Sequence, residues 1–492
     1  MKLTRHLMFV MFVSSLVLCI SCQQEELFPA EANLTETIVD NPYVLTADAS
    51  VNEVNSFLSQ MAVKDGDEVN LRSSQAENLS YSVETKDFSV SLESDALGGQ
   101  RQVQNVPVHI LNYKNSCGEE AGYALTVGDK RFAHKVIAFN EKGSMDLSSG
   151  ADADFWQDMI NGYIYHVVNN PESEVDMLKK NEKAVSLRSE PEKVFYQHSM
   201  DFYFNWHQSG APFTDYTPFR NGQRASAGCL PVAMGMVMAW HQWPLQGAYP
   251  RYEKDASGKV TLRNVTTNYS GSSFWRYFHP SSWRGELPAT DPRIRENIAN
   301  LLVEIGYKLN ASYNSSSDTQ AQSLNARTVF RQMGYDCSPN SFVSFNSSTI
   351  LNDIDCEQPV IISAKRTQTD KEKEQQIPPG GHSYIINAVI TQGATNGSGV
   401  HIDLKKPLYV YIMNGNAGNG DGWYLEEMFS ANKNNFGAYP DGRDNDKTIR
   451  VYSYRYYAYM LTNIKPNRNN SGSTAIWRVS DDKSYPFIKK DY

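Results

Sequence analysis

Cys229 follows the small, flexible run Ala225-Ser-Ala-Gly228 and precedes Leu230 to Trp240, an apolar stretch with Pro231 near its start. Proline in a first helical turn costs nothing, because the N–H it lacks would have no partner there. The thiol would therefore sit at a helix N-terminus, where the helix dipole favours the thiolate, the form that attacks carbonyls. An isolated Gly-Cys reads more simply as a buried core thiol, so the chemistry depends on partners. His382 opens an apolar strand directly after Pro378-Pro-Gly-Gly381, which places an imidazole at a strand end with little bulk around it, as a general base requires. Asn414 ends the strand-like Tyr409–Met413 and begins a glycine-rich loop. Its amide oxygen, or that of Asn416, would accept the imidazole N–H and fix the tautomer. Gln223, six residues before Cys229, offers a side-chain amide that together with the Cys229 N–H would stabilise an oxyanion. Such a set performs acyl transfer through a thioester and needs no metal or cofactor.

The elements that must hold these groups differ along the chain. Residues 23–44 are acidic and without periodicity, and read as a tether. Helical spacing follows at Ala47 to Met61 and again at Asp152 to Val168 through Phe155, Met159, Tyr163 and Val167, with strand-like alternation from Tyr81 to Leu147 between them. Residues 45–172 thus form a small α+β domain. The charged stretch 173–193 reads as an exposed linker open to proteolysis. In 194–492, helices are expected at Leu230–Trp240, Asp291–Lys308 and Asp318–Met333. Strands follow at Pro359–Ser363, Ser383–Ile390, Leu408–Met413 and Tyr452–Ile464. Helices early and strands late imply an α+β fold, a helical half packed on an antiparallel sheet half with a cleft between.

The length of 492 residues calls for more than one domain. A mean hydropathy of −0.50 excludes a multi-span membrane protein. The net charge of −9 comes without any basic run, so nucleic acid is not an expected partner. Residues 1–22 carry Lys2 and Arg5, an apolar run from Leu7 to Ile20, then Ser21 and Cys22. This resembles a bacterial lipoprotein signal with a lipid on Cys22, the only expected link to a membrane; a plain secretory signal is the alternative. Both predict export, either to the cell envelope or out of the cell. Of the cysteines beyond the signal, Cys337 and Cys356 either pair with each other or stay as free thiols, and no zinc spacing is present.

The order Gln, Cys, His, Asn is that of papain-like enzymes. Gly228-Cys-Leu-Pro-Val-Ala-Met-Gly-Met-Val-Met-Ala-Trp-His-Gln-Trp-Pro244 resembles the nucleophile helix of the streptopain family of cysteine peptidases. Trp206-His-Gln-Ser-Gly-Ala-Pro-Phe213 is similar to that family's mature N-terminal segment, Gly380-Gly381-His382 to its histidine motif, and Asn414 through Asp421-Gly-Trp-Tyr to its asparagine segment. The resemblance implies a papain-like catalytic domain preceded by an inhibitory propeptide at residues 45–172. Activation would follow a cut near Arg188, and the substrates would be proteins or peptides. Two positions depart from the pattern: Gly415 and Ala417 stand where the family has Trp, an indole that shields the His–Asn hydrogen bond from water. Two other readings remain open, a weakly active homologue that binds peptides or inhibits a peptidase, and a different thiol acyl transferase.

Overall fold

The computed structural model describes residues 35–61, 80–92, 100–148, 151–169, 193–254, 260–270, 274–278, 291–337, 343–365, 381–395, 401–430 and 457–469. The signal, the lipid site at Cys22, nearly all of the 173–193 linker and Pro378 to Gly380 lie outside these residues. The N-terminal region runs β1 (Thr35–Val39), α1 (Ala47–Met61), β2 (Ser80–Ser91), β3 (Gln100–Lys114), β4 (Glu120–Val127), β5 (Val136–Asn140) and α2 (Ala151–Asn169). After it come β6 (Lys193–Ser199), β7 (Phe219–Arg220), β8 (Gln223–Arg224), α3 (Cys229–His241), β9 (Gln246–Lys254), β10 (Val260–Asn268) and α4 (Phe274–Tyr277). The chain continues through α5 (Pro292–Lys308), β11 (Ser312–Tyr313), β12 (Thr319–Gln320), α6 (Ala326–Gln332), β13 (Tyr335–Asp336), β14 (Val343–Ser344), α7 (Ser347–Asp355) and β15 (Val360–Lys365). It ends in β16 (Gly381–Thr395), β17 (His401–Met413), β18 (Gly422–Leu425), α8 (Glu427–Ser430), β19 (Tyr457–Leu461) and β20 (Lys465–Pro466).

The fold is α+β: α3 packs against β16 and β15 of an antiparallel sheet built from β14 to β19, and α5 packs against α3. α3 is apolar on all sides and buried from Leu230 to Ala239, as a central helix must be. Gly235 admits Leu302 of α5 and the Trp206 ring, each 2.8 Å from where a Cβ would stand. α5 starts where the sequence indicates: Asp291 caps it by accepting the Arg293 N–H at 2.9 Å, with Pro292 in the first turn.

Two expectations change, and one left open is decided. Residues 35–39, assigned to the tether, form β1, which pairs in parallel with β3; five residues with Ile38 exposed are too short and too open to show a period. The single helix expected over Asp318–Met333 begins only at Ala326, because Asp318 closes a turn with Asn314 and Thr319 pairs with Tyr313. Cys337 and Cys356 are free thiols.

The joining of the two sheets leaves no local pattern in either set of strands. The N-terminal strands run β1-β3-β4-β5 straight into β18-β17-β16, through pairing of Phe139 with Trp423 and Ala138 with Tyr424. One hydrophobic core extends across this junction, with Phe139, Tyr409, Trp423 and Phe57 packed ring against ring.

Candidate active site

Gly228 enters α3 with φ of 90°, a left-handed conformation that glycine adopts without strain, and no side chain caps the helix. The N–H groups of the first turn are therefore free to face an anion. The preceding loop is fixed from three directions. Ala227 N–H donates to the Gln208 carbonyl at 2.7 Å, Ser226 N–H to the Ser315 carbonyl at 3.0 Å, and Thr319 Oγ1 to the Ser226 carbonyl at 2.6 Å. Cys229 itself is half-buried.

His382 reaches Cys229 from the sheet. Pairing of Ile385 with Met413 lays the end of β17 beside the start of β16 and so brings Asn414, the residue after β17, within reach of the His382 side chain. The His382 Nε2 lies 2.9 Å from the Asn414 main-chain carbonyl. A carbonyl only accepts, so Nε2 carries the proton and Nδ1 is left to take one from the thiol. Burial alone would push the Cys229 thiol up. The hydrogen bond and charge of His382, with N–H donation from Ser383 and Leu230, outweigh it and set the thiol below its ordinary value. Cys337 shows the contrast: burial without such a partner pushes it up to about 12.

The structure thus brings Cys229, His382 and Asn414 together. The expectation about Asn414 needs correction, however, because its contribution to His382 is the backbone carbonyl. The side-chain Oδ1 is buried without a hydrogen-bond partner among the described residues, and Nδ2 donates to the Asn419 carbonyl at 3.3 Å. Asn416, the alternative, is half-buried in the loop that follows. Gln223 is exposed on the β7–β8 hairpin. Gln208 is half-buried, and its main chain is bonded to the nucleophile loop through Ala227 and Ser226.

Both departures lie on left-handed backbone. Gly415 has φ of 67°, and a Cβ there would stand 3.2 Å from Val232 Cγ1 of α3, so a side chain on this backbone would be strained and would need Val232 to shift. Ala417 is also left-handed, with its N–H donating to the Trp206 carbonyl at 3.0 Å. Aromatic rings arrive instead from α2. The Phe155 ring centroid lies 5.3 Å from that of His382, and Trp156 stacks on Tyr424 at 4.1 Å and 7°. The helical stripe on α2 flagged Phe155 as a core residue and passed over Trp156. Asp421, buried, accepts the Asn414 N–H at 2.7 Å. Burial pushes its carboxyl up to about 7 against the pull of that bond. Its only sequence signal was its place in the Asp421-Gly-Trp-Tyr segment.

Residues 206–424 match the model of the peptidase C10 family. The streptopain of Streptococcus pyogenes is 23% identical over 324 residues, 61% of this chain and 71% of that protein. The thiol protease/hemagglutinin PrtT of Porphyromonas gingivalis is 25% identical over 205 residues, 40% of this chain and 22% of its own length. A prointerpain A fragment from Prevotella intermedia superposes with a TM-score of 0.42 at 13% identity, covering 76% of this chain and 98% of that one. No helix among the described residues is long and apolar enough to cross a membrane. Over residues 206–424, the chain is similar to the streptopain-like peptidases of the C10 family.

Proposed function

We propose that the chain is an exported cysteine endopeptidase made as a zymogen, with Cys229 as nucleophile, His382 as general base and acid, and the Asn414 carbonyl as the group that orients His382. The observation that carries this reading is the thiol of Cys229 held at a helix N-terminus in hydrogen bond with His382. The thiolate adds to the scissile carbonyl carbon, forming the C–S bond and an oxyanion. Collapse breaks the C–N bond as the imidazolium gives its proton to the leaving amine. Water, deprotonated by His382, then cleaves the thioester and restores the thiolate.

The Cys229 N–H is one oxyanion donor. For the second, Gln223 and Gln208 compete. The Gln208 main chain is tied to the loop that delivers Cys229, whereas Gln223 is exposed, so we assign the role to Gln208. Residues 45 to about 190 act as the propeptide in cis, and the signal at residues 1–22 with Cys22 anchors the chain to a bacterial envelope or releases it. Expression of the full chain and of Cys229→Ala tests the reading. Wild type should shed its N-terminal region and hydrolyse casein, and Cys229→Ala should do neither. Equal intact masses and equal casein turnover for the two would reject it.

A further inference from the structure

The run Ala225-Ser-Ala-Gly228 is small and flexible by composition, yet in the fold Ser226 uses every polar atom it has. The residue is 1% exposed. Its N–H donates to the Ser315 carbonyl at 3.0 Å, and its carbonyl accepts Thr319 Oγ1 at 2.6 Å. The hydroxyl faces two main-chain groups at once, donating to the Gln208 carbonyl at 3.2 Å and accepting the Gly228 N–H at 3.2 Å. The Gln208 carbonyl also receives the Ala227 N–H at 2.7 Å. One side chain therefore links the backbone that carries Gln208 to the backbone that delivers Cys229.

The Cys229 N–H belongs to the peptide unit between Gly228 and Cys229. The carbonyl of that unit accepts the Val232 N–H of α3 at 3.2 Å. Its other end turns on Gly228, whose φ of 90° no Cβ restrains. The bond from the Gly228 N–H to the Ser226 hydroxyl supplies that restraint, and the Thr319 methyl closes over the same glycine, 3.1 Å from where a Cβ would stand. We infer that Ser226 is a positioning residue for the oxyanion site: its hydroxyl sets the spacing between the two donors, the Gln208 side chain and the Cys229 N–H, without touching substrate. Donors preset in place stabilise the oxyanion as it forms, and a small misplacement costs rate without costing binding. The inference rests on the Cys229 nucleophile and the Gln208 donor proposed above.

The test compares wild type, Ser226→Ala, Gln208→Ala and the double variant in the processed chain. The readouts are kcat and KM on one peptide substrate, and the rate of Cys229 alkylation by iodoacetamide followed by intact mass. Alkylation displaces iodide and develops no oxyanion, so it reads the thiol alone. Ser226→Ala should lower kcat by about tenfold, with KM and the alkylation rate within about twofold of wild type. In the Gln208→Ala background the same substitution should cost less than about threefold, because the spacing it sets has lost one of its ends. A general loosening of the fold would slow alkylation and act equally in both backgrounds. Unchanged kcat in folded Ser226→Ala, a full tenfold cost without Gln208, or alkylation slowed in step with kcat would each overturn the inference and leave the nucleophile assignment standing. A wild type that hydrolyses nothing overturns the catalytic reading, and this inference with it. If Ser226→Ala does not fold, Thr319→Val, which keeps the shape and removes the bond to the Ser226 carbonyl, is read by the same criteria.

Discussion

On the Cys229 side the position of the reacting atom is set by one buried helix and the loop that enters it, whose ties reach to Gln208, Thr217, Pro218, Ser315 and Thr319. On the His382 side it is set by a loop of left-handed residues, Gly415, Ala417, Gly418 and Gly420, and by contacts drawn from as far away as Tyr123 and Trp156. The first wall is stiff because a close-packed apolar helix has few alternatives. The second is a loop that must be gripped from outside, and what grips it is the N-terminal region. A site made this way couples the setting of the base to the N-terminal region, whereas the backbone that carries the nucleophile is held without it.

The stiff wall is probed most directly through its oxyanion donor. Gln208→Ala should lower kcat on a peptide substrate by about 100-fold with little change in KM, the usual cost of losing one such donor. Gln223→Ala, on the exposed hairpin, should stay within about twofold of wild type. The reverse ranking would return the role to Gln223 and would mean that the β7–β8 hairpin closes over substrate.

The gripped wall is probed through Asp421. Its carboxyl, pushed up to about 7 in the folded chain, holds a proton there across a pH range in which the unfolded chain has lost it. Its contribution to stability is therefore greatest at the acid end of that range and is lost as pH rises through about 7. Asp421→Asn keeps an oxygen for the Asn414 N–H and cannot ionise. Denaturant unfolding of the two proteins between pH 4 and 8 should show the variant losing less stability over this interval, by up to a few kcal/mol. Parallel curves would mean that Asp421 is hydrated and titrates as an ordinary carboxylate.

Sequence pattern captured what was local. α1 was read at its observed bounds and α3 and α5 to within a residue or two, because apolar period, Pro231 and the Asp291 cap are all short-range signals. Cys229 and His382 were legible for the same reason, each marked by small residues beside an apolar element. The junction of β5 with β18 was not, since strand pairing between residues nearly 300 apart leaves no trace in either strand alone. Trp156 was passed over because its partner is a glycine loop that looks like a turn, and Asp421 because a buried carboxylate is recognisable only once its surroundings are known.

Asn414 gives the smallest effect and the sharpest division between the two ways of orienting a base. A side-chain amide that orients His382 would be lost in Asn414→Ala, and the imidazole would be free to turn. In this structure the acceptor is the main-chain carbonyl, which alanine retains. What the substitution removes is an Nδ2 donor in a 3.3 Å bond to Asn419 and an Oδ1 that is buried with no partner among the described residues. Loss of a long bond and of an unsatisfied acceptor act in opposite directions, so stability should change by less than about 1 kcal/mol. Activity should fall by less than about tenfold. A loss of 100-fold or more with the fold intact would mean that the Asn414 amide turns toward His382 once the N-terminal region has left. The backbone bond would then be a property of the precursor alone.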